Sequence, residues 1–350
     1  MTHGSTPDEE QVDGAAHLGL AAIGAVLRAR LDQTVTLTPG VRADVAALSS
    51  WYRSPNGPRG LPPVRDFARA YAAYRMPATF HAAAAAMRAA AELTPDYRPR
   101  SMLDVGAGSG SAVWAAAATW PTLVKVRAVE RDGPSIDLGR GLAERSGVAV
   151  LASIDWARAD AYANAFEPAD LVTASYLVGE LDPGQQERVI DRLWDLTAGV
   201  LVIVEPGTPR GADQIRAATR RLINRGATIL APCPGTECPV TLPEWCHFSV
   251  RLERSRLHRR AKQVELDYED EKFAYVVAAR DTVPSLTAAG RVVARPRRTK
   301  GRVELRLCTP SGAVSRVVAR SEGDAYKLAR KLEWGSLVPE ELASPPRGDG

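Results

Sequence analysis

Residues 101–120, SMLDVGAGSGSAVWAAAATW, decide the fold. The run SMLDVG has the length of a buried strand, and SAVWAAAATW reads as a helix. Glycines at 106, 108 and 110 stand between them. Such a turn lets the backbone approach a ligand closely because no Cβ intervenes, and the helix start adds free N–H groups. Outward from it, LVKVRAVERD reads as a second strand and PSIDLGRGLAERSG as a helix opened by Pro134. VAVLASID, ADLVTASYLV and GVLVIVEPG read as further strands separated by helical stretches. Strand alternating with helix predicts a parallel, doubly wound α/β sheet.

The flanks differ from this core. Residues 15–98 are Ala-, Leu- and Arg-rich at helical spacing, as in AYAAYRMPATFHAAAAAMRAAAEL, and are broken at SPNGPRGLPP. They predict a helical N-terminal region ahead of a sheet domain at 99–285. GRVVARP, GRVELRLCT and GAVSRVVAR predict three short strands, and EGDAYKLARKL a closing helix, in a small β-rich module at 286–339. Residues 1–14 and 340–350 read as disordered tails.

Of the 350 residues 45% are hydrophobic and 25% charged, the balance of a globular protein, and no apolar run is long enough to span a bilayer. The first fourteen residues are polar and acidic, without the features of a secretory signal or an organelle presequence, so the expected location is cytoplasmic. The net charge is +4, but residues 251–306 hold 15 Lys and Arg against 8 Asp and Glu. Arg251, Arg254, Arg256, Arg259 and Arg260 cluster in RLERSRLHRR, and Arg297, Arg298 and Lys300 in ARPRRTKGR. Local basic excess points to phosphate contacts on nucleic acid.

All four cysteines fall beyond residue 232, at 233, 238, 246 and 308. Three sit in the Pro-rich loop 231–249, APCPGTECPVTLPEWCHFS. Four cysteines are too few for a secreted disulfide scaffold, and clustered thiols in a reducing compartment more often bind metal. The spacing lacks the paired C-x2-C knuckles of a zinc ribbon, whereas a [4Fe–4S] cluster tolerates irregular spacing. Zinc and iron–sulfur both stay open on the residues alone. Either centre would tie the module to the loop leaving the sheet. Closing a loop of about 75 residues is worth roughly 4–5 kcal/mol by analogy with disulfides, ample for a structural clasp. His247 and His258 read as packing or RNA-facing residues instead of ligands.

The glycine spacing is G-x-G-x-G, unlike the G-x-G-x-x-G of dinucleotide sites. With Asp104 ahead of it, the stretch resembles motif I of the class I S-adenosylmethionine methyltransferases. That resemblance implies a Rossmann-like fold in which Asp104, Gly106, Gly108 and Gly110 hold S-adenosylmethionine. It also implies that Glu130, closing the second strand, accepts from the ribose hydroxyls and that Asp160 lies at the adenine edge. The catalytic residues are unknown. SYLVGELD stands where many amino-methyltransferases carry an Asn/Asp-Pro-Pro-aromatic turn, and Pro232-Cys233 lies in the wrong place for a cytosine C5 nucleophile. Glu180 and Asp182 read as helix-capping residues.

Seven stretches then occur in a telling order: YRMPATF, LDVGAGSG, YLVGEL, VEPGTPRG, APCPGTECP, WCHFSVRLERSRLHRRAK and YEDEKFAYVV. Together they resemble the methyltransferase-like family of the small ribosomal subunit, that is, methyltransferase-like protein 17 and its bacterial relatives. The resemblance implies S-adenosylmethionine binding and a [4Fe–4S] cluster on Cys233, Cys238, Cys246 and Cys308. It further implies association with the small subunit and its rRNA in a bacterial cytoplasm, as an rRNA methyltransferase or a non-catalytic assembly factor. A monomer with no membrane contact is expected. A zinc-stapled small-molecule methyltransferase is the alternative from another class.

Overall fold

A computed structural model describes residues 18–52, 64–162, 166–233, 238, 240 and 244–343. The expected tail 1–14, the Pro/Gly break at 54–63 and residues 344–350 lie outside the described residues. Helices α1 (Leu20–Thr34), α2 (Pro39–Tyr52), α3 (Phe67–Tyr74) and α4 (Met76–Leu93) lead the chain. There follow β1 (Ser101–Val105), α5 (Ser111–Thr119), β2 (Lys125–Glu130), α6 (Gly133–Glu144), α7 (Ala149–Ala152), β3 (Asp155–Arg158) and β4 (Ala169–Ser175). Next come α8 (Pro183–Asp195), β5 (Thr197–Pro206), α9 (Pro209–Asn224), β6 (Thr228–Ala231), β7 (Phe248–Glu253), α10 (Arg256–Lys262) and β8 (Tyr268–Ala279).

These eight strands form one sheet in the order β3-β2-β1-β4-β5-β8-β6, with β7 also paired to β8. The pairs from β3 to β5 are parallel, as the alternating pattern predicts. Beyond β5 the sheet turns antiparallel, because β8 runs back between β5 and both β6 and β7. The fold is thus the expected doubly wound α/β sheet, with a mixed edge that the sequence pattern does not announce. One expected strand is corrected. In VAVLASID, residues 149–152 form the short α7, and the strand starts only at Asp155. A short apolar run fits a buried helical turn as well as a strand, and periodicity alone does not separate them.

Helices cover both faces. α4 is Ala-rich and nearly wholly buried against β8 and α5; its small side chains allow close approach, and Phe80 and Met87 fill the remaining space. The opposite face is covered by α8 and α9, whose Leu193, Ile215 and Leu222 pack on Val172, Ile203 and Val276. Asp182 caps α8 in a reciprocal box with Gln185, as expected. Glu180 does not act as a cap; it sits in a 3₁₀ turn ahead of that helix.

The C-terminal module holds β9 (Arg291–Val292), β10 (Arg297–Thr299), β11 (Arg302–Thr309), β12 (Gly312–Ala319) and helices α11 (Asp324–Ala329) and α12 (Glu340–Ala343). GRVVARP therefore gives only the two-residue β9, and a further strand, β10, starts beyond it, just after Pro296, which cannot donate to a ladder. The chain also stays ordered past 339: Leu342 of α12 is buried in the module's own core with Val303, Leu305 and Val318.

At the end of β5, Glu205 is 1% exposed, and neither carboxylate oxygen makes a hydrogen bond of regular geometry. Burial pushes its carboxyl up to about 8, against the pull of the Gly179 backbone and with Glu180 raising it further. The folded chain therefore holds a proton that the unfolded chain releases near its ordinary value, and stability contributed in acid is lost as pH rises toward 8. Glu205→Gln is expected to remove about 3 kcal/mol of that decline between pH 5 and 8, read from urea unfolding at the two pH values. Equal pH slopes in both proteins would contradict the assignment.

Candidate cofactor cleft and thiol centre

Gly106, Gly108 and Gly110 all take positive φ, at 73°, 54° and 89°. This left-handed backbone is why glycine is needed there. A Cβ on Gly106 would meet Leu177 at 2.9 Å. Beside the turn opens a cleft of about 990 Å³ whose wall includes Asp104, Gly106, Gly108, Glu130 and Asp160. Five of the six residues expected around a cofactor thus meet in one space, while Gly110 stands behind it as the residue preceding α5.

Asp104 is 1% exposed. Its Oδ1 accepts from Thr173 Oγ1 at 2.6 Å, and its Oδ2 is buried without a partner among the described residues. Burial pushes the carboxyl up to about 7, opposed by the Thr173 bond and reinforced by Glu130. A cationic N–H donor entering the cleft would meet this orphaned oxygen and restore its charge. Glu130 is already engaged: Gly108 N–H donates to Oε2 at 2.9 Å, and the Arg131 and Asp132 N–H groups donate to Oε1, each at 2.8 Å. A carboxylate offers about four acceptor sites, so roughly one remains for a hydroxyl. The expected pair of ribose bonds requires the Gly108 bond to open. Asp160 Oδ1 accepts from Tyr162 N–H at 3.0 Å.

The rest of the wall was missed by sequence reasoning. Tyr52, Phe67, Tyr71 and Thr79 from the leading helices face Tyr176 and Glu180 from the segment after β4. Glu180 is solvent-accessible yet surrounded by protein, and that burial raises its carboxyl to about 7 against the charge of Arg131. Behind this wall Arg75 makes a two-pronged bond to Glu271 of β8, at 3.0 and 2.7 Å, and Tyr176 Oη donates to the same carboxylate at 2.9 Å. The Arg75 guanidinium also lies 5.4 Å from the Tyr52 ring centre and 5.3 Å from that of Tyr176. Only YRMPATF hinted at this, and it did so as a motif with no chemistry attached.

The second site is built by the cysteines. Cys308 Sγ lies 3.7 Å from Cys233 Sγ although 75 positions separate them. Cys238 and Cys246 line one cavity with Cys233. Among the described residues no group of three or more His, Cys, Asp or Glu side chains is arranged as a ready metal cage. What the fold supplies is the Cys233–Cys308 contact and, beside it, a cavity of about 230 Å³ walled by Cys233, Cys238 and Cys246.

Arg291 fastens the same seam. It is 1% exposed, and its Nε and Nη1 donate to the carbonyls of Pro232 and Gly335, both at 2.7 Å. His247 stacks on Trp245 and meets Trp334 edge-on, which is the packing role expected of it. His258 is 1% exposed inside the cluster of Arg254, Lys262 and Glu269, where burial lowers its pKa to about 3.

The basic residues divide. Arg254 is spent internally on Glu269, and Arg298 on Glu333 and the Leu332 carbonyl. Arg256, Arg260, Arg297 and Lys300 are exposed, and Arg259 is half-buried. The two basic stretches adjoin at Asp270, which holds Arg251 at 2.7 Å and Arg295 at 3.8 Å. Among the described residues no helix is long and apolar enough to cross a membrane.

Comparison with known proteins places the sequence. The human mitochondrial ribosome assembly protein METTL17 is 29% identical over 301 residues, covering 77% of this chain and 62% of its own length. The mitochondrial Rsm22-cox11 tandem protein 2 of Schizosaccharomyces pombe is 28% identical over 201 residues, which cover 43% of this chain and 26% of that protein. The chain therefore spans less than two thirds of the curated relatives it matches. Among solved structures, a putative RNA methyltransferase from Pyrococcus horikoshii overlaps 59% of this chain and 87% of its own at 13% identity and a TM-score of 0.38. The magnesium protoporphyrin IX methyltransferase of Synechocystis PCC 6803 with bound SAM overlaps 71% of this chain and all of its own at 14% identity and a TM-score of 0.37. So partial an overlap carries no chemistry. The curated relatives are mitochondrial, which corrects the expected bacterial cytoplasm: the polar composition of fourteen residues is weak ground against the homology of the folded region. The model of the mitochondrial small ribosomal subunit Rsm22 family matches residues 65–339, and the chain belongs to that family.

Proposed function

We propose that this protein serves assembly of the mitochondrial small ribosomal subunit as an S-adenosylmethionine-binding scaffold whose C-terminal module is locked by a [4Fe–4S] cluster. The observation that carries the reading is the meeting of Cys308 with Cys233 across the seam between module and sheet domain. Four thiolates and a cavity beside them suit a cluster, which would hold the two parts together when bound. Cys233, Cys238, Cys246 and Cys308 are the residues that would hold it. At the other site, orphaned Asp104 suits the ammonium of the methionine end and Glu130 a ribose hydroxyl. Arg251, Arg256, Arg259, Arg260, Arg297 and Lys300 would face rRNA phosphates, with Arg298 beside them on the surface, paired to Glu333, and Arg254 supporting from within. Similarity to a mitochondrial ribosome assembly protein favours the assembly reading over methyl transfer.

The test is anaerobic purification followed by iron and sulfide assay, a visible spectrum, and crosslinking to small-subunit particles. Four iron and four sulfide per chain with a crosslink to precursor rRNA are expected. A colourless protein with one zinc per chain would replace the cluster with the zinc alternative. Label transferred from S-adenosylmethionine into rRNA would restore the enzyme reading.

For the cofactor cleft, Gly106→Ala is expected to weaken S-adenosylhomocysteine binding at least tenfold by calorimetry. The added Cβ opposes a φ of 73° and presses on Leu177. Unchanged affinity would remove the turn from the site.

A further inference from the structure

We propose that Arg216 is the positioning residue that hydrogen-bonds and charge-balances the anionic centre held by the four cysteine sulfurs. The inference rests on the thiolate-centre reading above and adds a residue outside the cysteine loop. Arg216 stands on α9, and its Nη1 lies 3.3 Å from Asp213 Oδ1 on the outer side. Its Nε and Nη2 are buried and have no partner among the described residues. The side chain lines the same cavity of about 230 Å³ as Cys233, Cys238 and Cys246.

A guanidinium keeps its proton at any pH a protein tolerates, so burying two of its N–H groups unpaired is costly. The cost disappears if an anion shares the cavity. Four thiolates around iron or zinc leave a net negative charge on the centre, and sulfur accepts hydrogen bonds from N–H groups in such sites. The neighbouring cations do not meet this need. Arg220 lines the cavity but is exposed, and Arg291, whose Nε and Nη1 go to backbone carbonyls and whose Nη2 is likewise unpaired among the described residues, is not part of the cavity wall. On α9 one arginine thus shares a cavity wall with three cysteines, while its Nη1 keeps the Asp213 carboxylate.

A donor aimed at a cluster sulfur stabilises the reduced form more than the oxidised form, because reduction adds one negative charge. The test compares anaerobically reconstituted wild type with Arg216→Gln and Arg216→Lys. Its readouts are iron and sulfide content, the bleaching half-life of the visible band in air, and a dithionite titration followed by electron paramagnetic resonance. Arg216→Gln is expected to retain iron after reconstitution but to show about a tenfold lower reduced-to-oxidised ratio at a fixed potential, equivalent to about 59 mV for one electron. It is also expected to bleach several times faster. Arg216→Lys, which keeps the charge without the fork, should fall between. A loaded Arg216→Gln protein that matches wild type in both readouts overturns the role of Arg216 and leaves the cluster reading standing. Wild type that binds neither iron nor zinc overturns the thiolate centre itself, and this assignment with it.

Discussion

Cys308→Ser is expected to abolish the visible spectrum, drop iron to background and free the C-terminal module from the sheet domain. Cys308 is 2% exposed at the end of β11 and is the single thiol the module contributes. Without it the remaining three cysteines all belong to one loop, and a centre there no longer bridges two parts of the chain. The loop it would close spans about 75 residues, so the lost constraint is worth about 4 kcal/mol on the disulfide scale. Unfolding by urea, with iron retained in wild type and chelated in a parallel sample, separates this from packing. The variant and the chelated wild type are expected to unfold alike, both well below loaded wild type. Hydrogen exchange should rise first in β11 and β12. Full iron content in Cys308→Ser would end the clasp interpretation.

The second large effect is expected at Arg75. Its side chain is 12% exposed and that of Glu271 8%, and their two-pronged bond joins the α3–α4 junction to β8. Arg75→Ala leaves the Glu271 carboxylate buried with only Tyr176 Oη as donor, and breaking a buried pair from one side costs about 3–5 kcal/mol. The Tyr52 and Tyr176 rings lose their shared cation as well. Because both rings wall the cleft, S-adenosylhomocysteine affinity should fall together with the unfolding midpoint. Arg75→Met combined with Glu271→Gln should recover much of the stability, since no uncompensated charge then stays buried. A loss under 1 kcal/mol in Arg75→Ala would show that water reaches the carboxylate and that the pair is not what holds the leading helices down.

Local pattern made much of this legible. The glycines of DVGAGSG need positive φ whatever surrounds them, and Glu130 at the end of β2 is set beside the turn by the parallel register of β1 with β2. The α7 segment misled because four small and apolar residues satisfy both periods. β8 carried no sequence cue of its place: its first half is charged and its second apolar, and its position between β5 and β6 follows from closing the sheet edge. Among the basic residues, the stretch RLERSRLHRR looked uniform, but Arg254 is drawn inward by Glu269 fifteen residues away. A charge count is blind to such pairing.

By itself the sequence determined the glycine turn, the alternation that builds the parallel half of the sheet, the four-cysteine set and the family the chain resembles. These are properties of near neighbours or of residue identity, and short-range sterics fix them. Only the tertiary structure decided that Cys308 meets Cys233, that Tyr52, Tyr71 and Tyr176 wall the cleft with Arg75 behind them, and that Nε and Nη2 of Arg216 are left for a partner in the thiol-lined cavity. Each of these joins residues far apart along the chain, and such contacts arise from packing whole elements against one another, which no local pattern encodes.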